Sequence, residues 1–376
     1  LLSRDVEPSG LPVGTAKLSF TSGSTGSPKG VCLAAAGLFD TAEAVSAALA
    51  DVPIERHLSV LPLALLLENV AGVYAPLLRG TEIVLPRLAE LGWRGMGGFD
   101  PLQLARQAEA TQPASLILVP ELLKAWTLAL HAGKRRPPAS LKFVAVGGAR
   151  CDVALIEHAR AAGLPAYEGY GLTECGSVVS LNRPGADRLG SVGRPLGHVD
   201  IRVDAEGEIR IVNRGFLGYL HSAANAPESG AGSAFMSGDL GHLDEGGFLH
   251  LSGRRKNLII TAYGRNVAPE WIEAALLAQP EITQAVVTGE ARPWLAALLV
   301  PAQGVEAAGL AAAIARANAS LPDYARVGGW LACAPFSLDN GLATGNGRPV
   351  RAAILHTHAA AIDSLYPYEE PAHVVL

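Results

Sequence analysis

The sequence predicts an α/β protein in two parts: a large N-terminal domain of mostly parallel, helix-covered sheet with a β-rich subdomain, then a small α+β C-terminal domain. Three observations predict it. From about residue 58 to 170, short apolar runs alternate with stretches of helical spacing. After residue 190 the pattern turns to hairpins. Past the charged run Gly253-Arg254-Arg255-Lys256, a second strand and helix alternation begins.

The strand candidates of the first region are 58–63 (LSVLPL), 81–86 (TEIVLP), 115–120 (SLILVP), 141–148 (LKFVAVGG) and 164–171 (LPAYEGYG). Between them 68–79, 101–112, 121–131 and 153–163 carry apolar residues at helical spacing. Apolar strands alternating with helices indicate a sheet covered on both faces, with ligand sites in the loops at the strand ends. The segment 199–215 reads as a hairpin around Glu206-Gly207, and 246–253 as another strand. Downstream, 268–279 reads as a helix, 282–290 and 294–302 as strands, 305–319 as an Ala-rich helix and 330–337 as a further strand. The expected division is 1–253 and 254–376.

The bulk properties narrow the function classes. With 376 residues, 49% of them hydrophobic, and 42 glycines and 25 prolines, the chain has the make-up of a loop-rich globular enzyme with a large core. A net charge of −5, with no Lys/Arg-rich stretch, argues against nucleic acid as a partner. No run approaches the length of a membrane span, and residues 1–10 lack a signal pattern. Cys32, Cys151, Cys175 and Cys333 show no metal-site or disulfide spacing, so the expected location is cytoplasmic.

The first chemical signal is Thr21-Ser22-Gly23-Ser24-Thr25-Gly26-Ser27-Pro28-Lys29-Gly30, directly after the strand-like AKLSF. Its glycines let successive N–H groups face one point, its hydroxyls add donors, and Lys29 adds a positive charge. That composition suits a polyphosphate, although it is shared with flexible Gly/Ser linkers. No Gly-Lys-Ser/Thr ending closes it, so it is not a Walker A loop.

In its residue order this loop resembles the signature of the adenylate-forming superfamily, which comprises acyl-CoA synthetases, peptide-synthetase adenylation domains and beetle luciferases. The later motifs follow in that family's sequence over essentially the whole chain, and the likeness is strongest to an acyl-CoA synthetase. The resemblance implies an acid–thiol ligase that uses ATP and Mg²⁺, with a mobile C-terminal domain hinged near Lys256. It also implies roles. Thr21, Ser22, Gly23, Ser24, Thr25, Gly26 and Lys29 bind the phosphates. Gly147, Gly148 and Ala149 form a strand-end turn beside adenine. Tyr170 stacks on adenine, Gly171 follows it, Thr173 bonds the α-phosphate and Glu174 holds Mg²⁺. Asp239 takes the ribose, with Arg254 near it, and Lys256 is the pivot. Tyr263, Gly264 and Arg265, in the stretch 262–269 with Glu273, belong to a loop that lines a thiol tunnel. Taken singly, these motifs also read as an ordinary turn, a buried tyrosine, a β-turn aspartate and a solvated charge run.

Three departures from the family pattern stand out. Where relatives carry a catalytic lysine near the C-terminus, this chain has Arg348, and its last lysine is Lys256. Arginine keeps the charge but presents a planar fork, so the exchange is not conservative. At the acyl-pocket motif 61–68 the gate position is Leu65. With Gly72 beyond it, a wholly apolar wall is expected, with no aspartate to pair with an amino group. Finally, the chain starts some twenty residues before the phosphate loop, where relatives carry a long segment; the first part of the large domain is expected to be absent, as a fragment or in a reduced member.

The reaction implied is activation of an apolar carboxylic acid to acyl-AMP with pyrophosphate release, then transfer to a thiol. Coenzyme A is the expected acceptor, and the phosphopantetheine of an acyl carrier protein is the alternative. A catalytically weakened nucleotide- or acyl-binding relative is a second alternative, because of Arg348.

Overall fold

The computed structural model describes residues 11–21, 29–94, 98–220, 234–344 and 347–366. The chain divides into two compact units, Leu1–Ser252 and Gly253–Leu376.

In the first unit, β1 (Thr15–Thr21) and β2 (Lys29–Ala34) form an antiparallel pair and α1 (Ala35–Ala48) follows. Then come β3 (Arg56–Leu58), a π-helical turn over Glu68–Tyr74, α2 (Ala75–Leu78), β4 (Glu82–Val84), α3 (Pro101–Thr111) and β5 (Ser115–Leu118). They are followed by α4 (Pro120–Gly133), β6 (Phe143–Val146), α5 (Val153–Ala161), β7 (Ala166–Leu172), β8 (Ser177–Leu181) and β9 (Arg194–Pro195). The β-rich end comprises β10 (Asp200–Val203), β11 (Glu208–Val212), β12 (Phe216–Tyr219), β13 (Ala234–Leu243) and β14 (Leu249–Arg254).

The central sheet has seven strands in the order β4-β3-β5-β6-β7-β8-β9, parallel from β4 to β7 and antiparallel through β8 and β9. Local chemistry sets its helices. Asp100 caps α3 by accepting from Leu102 N at 3.0 Å, with Pro101 at the first helical position, where its missing N–H costs nothing. Asp152 caps α5 in the same way, from Ala154 N at 2.8 Å. All four residues of β5 are buried, as a strand covered on both faces requires, and Trp126 of α4 is fully buried. The other sheets are β1-β2-β12 and β10-β11-β13-β14.

Two expectations from sequence are corrected here. Of the run 58–63 only Leu58 belongs to a strand, because Pro62 cannot donate to a ladder and Leu61 N turns instead to the Glu68 carboxylate at 3.4 Å. The helix expected over 68–79 is a π-turn followed by one short α-helical turn.

The second unit contains a hairpin of β15 (Ile259–Ile260) and β16 (Asn266–Val267), then α6 (Pro269–Leu277), β17 (Ile282–Thr288), β18 (Leu295–Pro301), α7 (Ala307–Ala319), β19 (Val327–Ala332), α8 (Arg351–Thr357) and α9 (Ala359–Ser364). Strands β17-β18-β19 make one sheet, and α6 and α7 pack with it around Ile272, Leu276, Val287, Leu299, Leu310 and Ile314.

Candidate active site

The signature loop connects β1 to β2, whose pairing ends at Thr21 opposite Lys29. Ser22, Gly23, Ser24, Thr25 and Gly26 lie outside the described residues. At the end of β2 the Lys29 ammonium stands 5.4 Å from the centre of the Tyr219 ring, close enough for a cation–π contact. Tyr219 ends β12, which pairs with β2, and its hydroxyl donates to Glu174 Oε1 at 2.9 Å. Burial and the Glu174 carboxylate push the Tyr219 phenol well above its usual range, so it stays a donor. Lys29, Tyr219 and Glu174 are thereby gathered from three different strands and turns.

Glu174 owes its place to the break between β7 and β8. A one-turn 3-10 helix, Thr173–Cys175, reverses the chain, and Gly176 at φ +74° completes the reversal with Gly176 N donating to Thr173 O at 3.1 Å. The two strands press together so tightly that a Cβ on Gly171 would lie 1.7 Å from Ser177 O. Only glycine fits there.

On β7, four residues before Glu174, the Tyr170 hydroxyl donates to Asp239 Oδ2 at 2.6 Å. Asp239 is buried on β13, and its N–H donates to Ser237 Oγ, which itself donates to Ile209 O at 2.7 Å. Burial first, and the Asp239 charge second, hold the Tyr170 phenol far above the ordinary range.

The Gly147-Gly148-Ala149 turn sits at the end of β6. A Cβ on Gly147 would lie 3.4 Å from Gly169 O and 3.8 Å from Leu67 Cδ2, and Gly148 adopts φ +86°. The turn thus borders both the residue preceding Tyr170 and Leu67. Below it the buried Glu168 carboxylate accepts from Cys151 N at 3.2 Å, and burial raises its pKa to about 7.

At the acyl-pocket motif Leu65 is part-exposed, and the residue that faces the Gly147 turn is Leu67. Sequence reasoning missed Leu67. The open side of Gly72 points instead at Glu68, where a Cβ would come within 2.6 Å of Oε1. Glu68 and His57 are both buried beside Gly72.

In the second unit, the β15–β16 hairpin turns tightly, with Gly264 N donating to Thr261 O at 2.9 Å and Arg265 N to Thr261 Oγ1 at 3.2 Å. Gly264 takes φ +69°, and Tyr263 and Arg265 are exposed at the tip. Arg254 closes β14, and Lys256 is exposed in the 3-10 turn Arg255–Asn257. Arg348 is exposed as well, in a turn closed by Thr344 N donating to Arg348 O at 2.8 Å. Glu273, grouped by sequence with the tunnel loop, is mostly buried, its side chain 13% exposed. It accepts from Arg351 Nη2 at 2.5 Å and from Val287 N at 2.7 Å.

Among the described residues no three His, Cys, Asp or Glu side chains converge in a manner that would cage a metal ion. A Mg²⁺ that arrives with a polyphosphate needs no cage, since phosphate oxygens and water complete its shell beside one or two carboxylates. Glu174, a hard oxygen donor linked to Lys29 through Tyr219, fits that limited task. No helix among the described residues is long and apolar enough to cross a membrane.

Residues 6–224 match the AMP-binding enzyme family, and 256–370 match the AMP-binding enzyme C-terminal domain. A long-chain-fatty-acid–CoA ligase of Mycobacterium bovis is 41% identical over 155 residues, 41% of this chain and 26% of that protein. A 2-succinylbenzoate–CoA ligase of Bacillus velezensis is 31% identical over 291 residues, 74% of this chain and 56% of that protein. The chain therefore spans between about a quarter and just over half of these relatives' lengths. Among solved structures, the o-succinylbenzoate CoA synthetase of Bacillus subtilis with its acyl-adenylate intermediate aligns at a TM-score of 0.73 and 25% identity, covering 92% of this chain and 70% of that one. An anthranilate CoA ligase shares the fold at a TM-score of 0.74 and 20% identity, covering 92% and 68%.

Proposed function

The chain belongs to the AMP-binding enzyme family, and from that premise we propose that it activates a carboxylic acid with ATP. The acid's carboxylate attacks the α-phosphate, acyl-AMP forms, pyrophosphate leaves, and a thiol then takes the acyl group. Coenzyme A is the proposed thiol, in keeping with the names of the relatives. The observation that carries the reading is the linkage of Lys29, Tyr219 and Glu174 at the break between β7 and β8, four residues along the chain from Tyr170, whose hydroxyl is paired with Asp239.

The difficulty of the reaction is electrostatic, since two anions must meet. Lys29 and the donors of the signature loop take the phosphates; Thr173 takes the α-phosphate oxygen; Tyr170, with Gly171 and the Gly147–Ala149 turn, holds the adenine. Asp239, with Arg254, takes the ribose hydroxyls. Glu174, steered by the Tyr219 hydroxyl, would hold Mg²⁺, which when bound neutralises charge developing on the phosphates. Fixing both reactants in one place removes much of the entropic barrier. In this reading the second unit serves the two half-reactions in turn, with Lys256 as pivot. Arg348 serves adenylation, and the 262–269 loop with Tyr263, Gly264 and Arg265 serves thioester formation.

The acid we propose is apolar and lacks an amino group. Leu65 and Leu67 supply a hydrocarbon wall, and no exposed carboxylate stands among residues 61–67 to pair with an amine. The four cysteines are free, which suits a cytoplasmic enzyme. Pyrophosphate release measured over a panel of fatty, aromatic and amino acids tests both parts. Release confined to the amino acids would sink the substrate assignment, and release with none would sink the activity.

A further inference from the structure

Behind the proposed acyl wall lies a buried polar pair for which the reaction has no use. Glu68, fully buried, opens the π-turn Glu68–Tyr74, and His57, 3% exposed, ends up beside it from β3. His57 Nδ1 is hydrogen-bonded to Ser115 Oγ of β5 at 2.8 Å, and Glu68 Oε2 accepts from Leu61 N at 3.4 Å. The remaining atoms, His57 Nε2 and Glu68 Oε1, face each other at 3.6 Å. Neither is exposed, and neither has a hydrogen-bond partner among the described residues.

Buried polar atoms without partners are costly, and a native structure that keeps two of them face to face has a reason for it. At 3.6 Å the pair falls short of a hydrogen bond. A shift of well under 1 Å makes one, with a single proton between imidazole and carboxylate. The sequence clears the ground for that approach. Gly72, four residues after Glu68, is the position where any side chain would collide, its Cβ falling 2.6 Å from Glu68 Oε1 and 3.0 Å from His57 Nε2. The chain has a π-turn here, a form that shifts the phase of every side chain around it and is found often at functional sites. Immediately before Glu68 stands Leu67, the residue facing the Gly147 turn.

We propose that Glu68 and His57 are positioning residues for the acid: closing from 3.6 Å to a hydrogen bond, they fix the π-turn so that Leu67 projects toward the Gly147–Gly148 turn and sets the shape of the acyl site. The pair links three segments: β5 through Ser115, the start of the 59–67 loop through Leu61, and the π-turn itself. It touches neither acid nor nucleotide. The inference rests on the acid-activating reading above.

Steady-state kinetics of pyrophosphate release, on the full chain with straight-chain acids of graded length and with aromatic acids, tests it. Glu68→Leu is expected to raise the KM of the best acid about tenfold and to change which acid is best, within the range that pocket shape commands. The KM for ATP should stay within about twofold. Glu68→Gln, which keeps a donor and an acceptor, should restore both acid KM and acid preference. Should Glu68→Leu fail to fold, His57→Gln is read by the same split. A folded Glu68→Leu enzyme with unchanged acid KM and preference overturns the proposal, and so does a parallel change in kcat and both KM values, which marks a general scaffold role. If the wild-type chain releases no pyrophosphate with any acid, the activity reading itself has failed and takes the proposal with it. An active wild type with an indifferent variant sinks the positioning role alone.

Discussion

Tyr170 donates its phenolic proton to Asp239 at 2.6 Å, so the residue proposed for adenine and the residue proposed for ribose are coupled to each other before any nucleotide is considered. The bond ties the end of β7 to β13, and it joins the central sheet to the β-rich subdomain. Tyr170→Phe keeps the aromatic face and removes only this bond. We expect a stability loss of about 1–3 kcal/mol by chemical denaturation, the usual worth of a hydrogen bond to a charged group. The KM for ATP should rise while the KM for the acid does not.

Glu174→Gln keeps the shape of the side chain and its hydrogen bond with Tyr219, and loses the charge. Acyl-AMP formation should fall by about 10²-fold or more, as for loss of one preorganised electrostatic group. Tyr219→Phe should cost far less, since it leaves the carboxylate in place. Equal losses in the two variants would mean that Tyr219, and not Glu174, carries the chemistry.

Burial holds Glu168 at about 7, well above an ordinary carboxyl. Its folded-state value is raised, so its contribution to stability is complete below pH 4 to 5 and is lost as pH rises through 7. Denaturation at pH 5 and pH 8 should therefore show the wild type losing stability toward the alkaline side by roughly 3 kcal/mol more than Glu168→Gln, which cannot titrate. A variant with the same pH dependence as wild type would show that Glu168 is not the group responsible.

The second unit gives a prediction of its own. Arg351, three residues after Arg348, binds the mostly buried Glu273 and, through Nη1, also donates to Val287 O at 2.6 Å. Arg351→Ala leaves a mostly buried carboxylate without its cation and should cost about 1–3 kcal/mol, less than a fully buried pair because water reaches both side chains, read by denaturation. Arg351 and Glu273 replaced together by apolar residues of similar size should recover most of that.

Much of this site could be read from order alone. The family resemblance points to the Tyr170–Glu174 run, Asp239 and the glycines at 147 and 148; the fold sets the glycines and the Tyr170 run at the ends of the neighbouring strands β6 and β7, and Asp239 meets Tyr170 from β13. Tyr219 was not foreseen. Its phenol reaches Glu174 only because β12 pairs with β2, a contact between residues nearly 190 apart that local pattern does not encode. Glu68 was hidden in an apolar run whose spacing suggested an α-helix. What decides there is a buried imidazole from another strand, and its partnership has no local signature. The order of the motif points to Leu65, whereas Leu67, the residue just before the π-turn, comes within 3.8 Å of a Cβ on Gly147.

The central claim, that this chain joins an acid to AMP, is tested most directly by a single-turnover reaction of the purified chain with ATP labelled at the α-phosphate, Mg²⁺ and a mixture of apolar acids. The account predicts labelled acyl-AMP in the wild type, its near disappearance in Glu174→Gln, and its consumption on adding coenzyme A. Labelled ADP in place of acyl-AMP, or acyl-AMP formed equally well by the Glu174→Gln chain, would contradict it.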